Sequence, residues 1–207
     1  MIFDFDGTLV DTSYELTALV ATVLEDYGKE PASREEVMRA LGDGPRKLIE
    51  RMLRLRDIDT GELDNALGTY LARYEKSSPQ AEAIYSGIFA ALRTLRERGV
   101  KCAVNTNKPH DIAVRVTEDL FPGLFDIVVG DRADKKRKPS GDGVREILKA
   151  LEIRPEDAFY IGDTAVDIAT ARDAHVHVIA VCWGFRTREE LEREHPDRII
   201  DHPDELF

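Results

Sequence analysis

Three short stretches of this chain gather residue types suited to chemistry: Asp4-Phe5-Asp6-Gly7-Thr8, Asn105-Thr106-Asn107-Lys108, and Gly162-Asp163-Thr164 with Asp167 soon after. Each comes at the end of an apolar, β-rich run. A carboxylate at the end of a buried strand is costly unless it is paired or bound to a cation, so Asp4, Asp6 and Asp163 meeting at one edge would require one. Hard oxygen ligands without a Cys/His cluster favour Mg2+ over zinc, and such an ion would hold phosphate oxygens against an otherwise repulsive acidic wall. Taken singly, each acid also suits an ordinary turn or helix cap. The joint pattern favours chemistry: Asp-x-Asp-Gly-Thr, then Thr-Asn, then Lys-Pro, then Gly-Asp-Thr-x-x-x-Asp.

Periodicity predicts the elements that must position these residues. Leu16, Leu19, Val20, Val23, Leu24 and Tyr27 recur at helical spacing and Gly28 closes that helix. Ser33-Arg34-Glu35-Glu36 is a capping box opening a second helix through Val37, Ala40 and Leu41, which Gly42-Asp43-Gly44 interrupts. Pro45 suits the first position of a third helix carrying Leu48, Ile49, Met52 and Leu53, and a fourth carries Leu63, Ala66, Leu67, Tyr70, Leu71 and Tyr74. After Ser77-Ser78-Pro79 the grammar changes. A helix through Phe89, Leu92 and Leu95 leads to a strand at 100–104. Further strands fall near 127–129, 158–161 and 176–182, with helices near 110–119, 142–151, 165–174 and 187–194. The alternation predicts an α/β fold, a parallel sheet with helices on both faces, split after a first strand at 1–5 by a helical insert. In such sheets ligands bind beyond the carboxyl ends of the strands, where the three polar stretches lie.

Composition bounds the partners. The chain has 207 residues, 43% of them hydrophobic and 33% charged, which suits one domain or one domain with an insert and excludes disorder throughout. A net charge of −11 disfavours non-specific binding to nucleic acid or to an anionic membrane. No apolar stretch approaches the roughly eighteen residues of a membrane span, and the opening residues lack the features of a signal peptide, so a cytoplasmic location is expected. Cys102 and Cys182 sit inside apolar runs and read as small buried hydrophobes rather than a disulfide.

The motifs DFDGTLVD, TNKP, RKP and GDTAVD, in this order, resemble the four motifs of the haloacid dehalogenase superfamily over nearly the whole chain. Within it, ALGDGPRKLIERML, YSGIFAALRTLRERG and AVCWGF are similar to the phosphoglycolate phosphatase branch. The resemblance implies a Rossmann-like core from 1–11 and 81–207 with a helical cap domain at 12–80, closing over the site. It implies a Mg2+-dependent phosphatase acting on small phosphorylated metabolites, foremost 2-phosphoglycolate. Asp4 would be the nucleophile, forming an aspartyl-phosphate, and Asp6 the acid and base. Thr106, Asn107 and Lys138 would bind the phosphoryl group. Asp163 would complete the Mg2+ site with Asp4 and the Asp6 carbonyl, and Asp167 would ligate directly or through water.

Other features admit two readings. Gly42-Asp43-Gly44-Pro45-Arg46 is either a helix-breaking turn or a loop over the substrate in which Arg46 meets a carboxylate. Lys47 and Arg51 are expected to be surface charges, and Lys135-Lys136-Arg137 a solvated loop. The family's first strand usually begins several residues earlier, so either the start lies upstream or a shortened strand lowers stability. Asn105 stands where the family usually has an aliphatic residue, and the segment after Lys138-Pro139 lacks a common second proline. Asp6 argues against a dehalogenase and Thr8 against a sugar phosphomutase. Pyrophosphate, sugar phosphates and nucleotides remain alternative substrates, and a non-catalytic binding protein is the rival from another class.

Overall fold

A computed structural model describes the chain from Met1 to Phe207. It divides into two compact units, Met1–Asp11 with Gln80–Phe207, and Thr12–Pro79. No helix is long and apolar enough to cross a membrane.

The unit Thr12–Pro79 holds α1 (Ser13–Asp26), α2 (Arg34–Ala40), α3 (Pro45–Leu55) and α4 (Leu63–Tyr74). Their apolar stripes face inward: α1 buries Leu16, Leu19, Val20, Val23 and Leu24, and α3 buries Leu48, Ile49, Met52 and Leu53. The ends are set locally. Ser33 Oγ accepts the Glu36 N–H at 3.2 Å while the Glu36 carboxylate accepts the Ser33 N–H at 2.7 Å. Pro45 opens α3, where its missing N–H has no intrahelical partner to lose.

The other unit is a six-stranded sheet with its helices: β1 (Ile2–Phe3), α5 (Ile88–Glu97), β2 (Ala103–Pro109), α6 (His110–Leu120), β3 (Ile127–Asp131), α7 (Asp142–Leu151), β4 (Phe159–Gly162), α8 (Ala165–Asp173), β5 (His177–Val181), α9 (Arg188–Arg193) and β6 (Arg198–Ile200). The strand order is β3-β2-β1-β4-β5-β6 and every ladder is parallel. Ile2 pairs with Ala103 on one side and Tyr160 on the other, so the shortest strand lies at the centre. Both faces are covered. Ile2, Ala103, Tyr160 and Val178 pack with Val144 and Ile147 of α7 and Ile168 of α8. Phe3, on the opposite face, meets Phe125 edge-on, and Phe121 joins Phe125 to Phe5.

Four sequence expectations shift. The first strand ends at Phe3 because the Phe5 N–H turns to the Asp4 carboxylate, and Phe5 O then accepts the N–H groups of Leu9 and Val10. Strand β2 starts at Ala103 rather than at 100: the Val100 N–H closes α5 on Leu95, and the Cys102 N–H is taken by Asp126. It then runs on through the Thr-Asn-Lys-Pro motif. Phe89 is exposed, since the buried stripe of α5 is Ile88, Ala91, Leu92 and Leu95. The three-residue β6 is too short to show periodicity. Cys102 and Cys182 are both free thiols, the first buried and the second half-buried.

Candidate active site

The carboxyl ends of β1, β2 and β4 are neighbours because the strand order reverses between β1 and β4, the point at which such sheets open a crevice. Asp4 is the first residue past β1. Its N–H continues the ladder to Ile161 O at 2.9 Å, and its Oδ1 accepts the Phe5 N–H at 2.7 Å. Gly7 then takes φ +80°, and a Cβ there would lie 2.9 Å from Asp163 Oδ1 and nearer still to Oδ2. Only glycine fits this turn. Thr8 Oγ1 donates to Asp163 Oδ1 at 3.1 Å, which ties the turn to the end of β4.

The end of β2 supplies two lysine contacts. Asn107 grips the main chain of Lys138: its Oδ1 accepts the Lys138 N–H at 2.9 Å and its Nδ2 donates to the Lys138 carbonyl at 3.2 Å. The Lys138 ammonium lies 2.9 Å from Asp4 Oδ2 and 2.7 Å from Asp167 Oδ1. It stands 5.7 Å from the centre of the Tyr160 ring, whose hydroxyl donates to the Asn105 carbonyl at 2.8 Å. Lys108 Nζ lies 3.0 Å from Asp6 Oδ1 and 5.2 Å from the centre of the Phe5 ring. Thr106 is buried, and its Oγ1 accepts the Lys108 N–H at 3.3 Å.

Strand β4 delivers Asp163, and the first turn of α8 delivers Asp167. Asp167 Oδ2 accepts from both the N–H and the hydroxyl of Thr164, at 3.0 and 2.6 Å, which leaves Oδ1 to Lys138. Oxygens of Asp4, Asp163 and Asp167 all lie within 4.8 Å of one another, and all three residues are buried. Burial raises the Asp4 carboxyl to about 7; Lys138 opposes that shift, and Asp167 and Asp6 add to it. Burial likewise raises Asp163 well above the carboxylate range, with Asp167 and Asp4 adding their repulsion. Burial alone would lower Lys138, but Asp167 and Asp4 outweigh it and hold the ammonium charged. With Asp6 and Lys108 included, four carboxylates face two ammonium groups. Ionised together, the four would leave a deficit of two positive charges, which suits a divalent cation with hard oxygen ligands.

Asp4, Thr106, Asn107, Lys138, Asp163 and Asp167 thus come together, with two differences from the sequence expectation. The Asp6 carboxylate is turned to Lys108 and stands outside the three clustered carboxylates. The Asn107 amide is engaged by the Lys138 main chain. Arg46 lies in the first turn of α3, within the helical unit, and pairs with Asp64 at 2.8 Å. Arg51 is more than a surface charge, because it bonds the Ala40 carbonyl at 2.8 Å and Asp43, bracing the Gly42-Asp43-Gly44 turn. Thr8, Lys108 and Thr164 lie in the stretches singled out above but were given no role at the site, and Tyr160 was missed altogether. Lys108 had a signal, being a charged residue directly after the Thr-Asn pair at the end of an apolar run, and it is itself buried.

Residues 1–181 match the model of the haloacid dehalogenase-like hydrolase family. The chain belongs to this family. It is 31% identical to phosphoglycolate phosphatase 1 of Pseudomonas aeruginosa, over all of this chain and 78% of that one. It is 33% identical to the phosphoglycolate phosphatase of Cereibacter sphaeroides, over all of this chain and 94% of that one. Among solved structures, a Lactobacillus delbrueckii protein provisionally described as a phosphoglycolate phosphatase superposes with a TM-score of 0.88 at 29% identity, covering 99% of this chain and 95% of that one. A haloacid dehalogenase-like family protein of Streptococcus pneumoniae shares the fold, with a TM-score of 0.87 at 22% identity, covering 99% of this chain and 94% of that one. The hydrolase family and the α/β architecture read from the four motifs are those observed.

Proposed function

We propose that this hydrolase is a Mg2+-dependent phosphatase of small phosphomonoesters, working through an aspartyl-phosphate on Asp4, with 2-phosphoglycolate as its substrate. The observation that carries the reading is the Lys138 ammonium, 2.9 Å from Asp4 and 2.7 Å from Asp167, beside a third buried carboxylate at Asp163. A carboxylate nucleophile needs a cation nearby to accept the charge of the incoming phosphoryl group. The substrate assignment rests on the relatives named as phosphoglycolate phosphatases, which align with all of this chain.

In this mechanism Asp4 attacks phosphorus while Asp6 protonates the departing alkoxide. Asp6, now ionised and beside Lys108, takes a proton from the water that attacks the aspartyl-phosphate, and phosphate leaves with Asp4 restored. The Thr106 hydroxyl and the Lys138 ammonium bind the equatorial oxygens, and Asn107 serves them by fixing Lys138. Asp4, Asp163 and Asp167, with the Asp6 carbonyl, would hold Mg2+, which supplies charge neutralisation at the phosphoryl oxygens. Arg46 is proposed to meet the substrate carboxylate.

Phosphate release, with Mg2+ and with EDTA, across 2-phosphoglycolate, pyrophosphate, sugar phosphates and nucleotides, tests the reading. Mg2+-dependent release led by 2-phosphoglycolate and abolished in Asp4→Asn is expected. Release led by another compound would keep the mechanism and overturn the substrate; no release on any compound would favour a binding protein on this scaffold.

A further inference from the structure

The segment Trp183-Gly184-Phe185 follows β5 and has no part in the mechanism above, yet it closes on the site from three directions. Trp183 Nε1 donates to the Thr8 carbonyl at 3.0 Å. The Phe185 N–H donates to Asp163 Oδ2 at 2.7 Å. Between them, a Cβ on Gly184 would lie 2.5 Å from both Asp163 Oδ2 and the Gly7 carbonyl, and closer still to Asp163 Cβ. No residue with a side chain can occupy that position unless Asp163 or the Gly7 turn moves.

These contacts form a closed circuit. Thr8 gives its hydroxyl to Asp163 Oδ1 and its carbonyl to Trp183, while Phe185 takes Asp163 Oδ2. Each oxygen of Asp163 therefore has a fixed donor. We propose that Trp183-Gly184-Phe185 is a positioning segment, which aims the Asp163 carboxylate as a cation ligand and locks it to the Asp4–Thr8 turn. The inference rests on the reading that Asp4, Asp163 and Asp167 hold Mg2+. A ligand carboxylate free to rotate in a buried cluster would swing away from Asp4 and Asp167; two donors, one from the turn after β1 and one from the loop after β5, prevent that, and such supporting contacts set metal affinity.

The test titrates Mg2+ alone into metal-stripped protein by calorimetry, for the wild type, Trp183→Phe and Gly184→Ala. Trp183→Phe keeps an aromatic ring and removes the Nε1–H together with part of the indole. It is expected to weaken Mg2+ binding by about 10-fold and lower kcat at limiting Mg2+ with KM unchanged. Gly184→Ala is expected to weaken binding by about 100-fold; if it does not fold, Trp183→Phe alone decides. Wild-type Mg2+ affinity in Trp183→Phe, whatever its melting temperature, overturns the positioning role and leaves the metal site standing. A wild-type protein that binds no Mg2+ overturns both.

Discussion

Replacing Asn107 by alanine removes both hydrogen bonds that hold the Lys138 main chain, at 2.9 and 3.2 Å, and leaves a buried N–H and a buried carbonyl without partners. Each such bond contributes about 1 kcal/mol net, and an unpartnered buried peptide group costs about 1–3 kcal/mol, so a loss of about 3 kcal/mol in stability is expected. The larger effect should be on turnover. Lys138 Nζ is held within 2.9 Å of both Asp4 and Asp167, and releasing its main chain by even about 1 Å would lower kcat by about 100-fold. KM should change by less than about threefold, because the amide itself does not bind the phosphate. Urea denaturation and steady-state kinetics of Asn107→Ala and Asn107→Asp measure the two effects. Asn107→Asp keeps an acceptor for the Lys138 N–H, so it should lose less stability. Wild-type kcat in a destabilised Asn107→Ala would refute the positioning argument; a 10-fold rise in KM with kcat intact would mean that the amide touches the phosphate directly.

Tyr160→Phe removes the hydroxyl bonded to the Asn105 carbonyl at 2.8 Å but keeps the ring beside Lys138, so kcat should fall by no more than about threefold, whereas Tyr160→Leu should lower it by at least about 10-fold. In EDTA, stability should fall as pH rises. Asp4 and Asp163 are both raised in the folded state, so their contribution is full below about pH 4 and is lost as pH rises, that of Asp4 through about 7 and amounting to at most about 4 kcal/mol. Urea midpoints at pH 5 and pH 8 check this, and added Mg2+ should flatten the profile. In the helical unit, Arg56 and then the Ser33 N–H hold Glu36 down at about 2, so its contribution is present above about pH 4.5 and lost as pH falls through about 2. Because Glu36 is one-third exposed, Glu36→Gln should cost only about 1 kcal/mol, or 2–4 °C in melting temperature at pH 7, with the gap closing near pH 2.

The features legible in the sequence are those decided within a few residues. The Ser33–Glu36 capping box, Pro45 at the start of α3 and the helices after Thr164 and Thr187 follow from local hydrogen bonding and periodicity, and they stand where they were expected. Contacts between distant residues were not legible. Asn107 and Lys138 are 31 residues apart, and Thr8 and Asp163 are 155 apart, so no spacing in the sequence announces either pair. The same holds for β2, whose start is delayed by the Asp126 carboxylate taking the Cys102 N–H from another part of the chain. A motif reports that residues belong to one site; it does not say which of them binds substrate and which holds its neighbour. Asn107 and Asp6 show the difference, since the first faces a lysine main chain and the second a lysine side chain.

Two buried lysines in one acidic site need different explanations. Lys108 pairs with Asp6, whereas Lys138 is shared between Asp4 and Asp167. In the proposed chemistry, attack by Asp4 turns its carboxylate into a neutral acyl group that carries the phosphoryl oxygens. The charge facing Lys138 is then replaced by that of the phosphoryl oxygens, two bonds further out, and the ammonium follows it with no need to cross the site. Asp167, anchored by two donors from Thr164, keeps Lys138 from leaving during that exchange. In the same proposal Lys108 faces Asp6, the residue that gives its proton to the leaving group. Its ammonium stabilises the Asp6 carboxylate once the alkoxide has been protonated, so it favours departure of the leaving group and the base form needed for water. A net charge of −11 repels an anionic substrate at long range, and in the proposed chemistry it falls to these local cations, together with the proposed divalent ion, to reverse the sign where the phosphoryl group would bind.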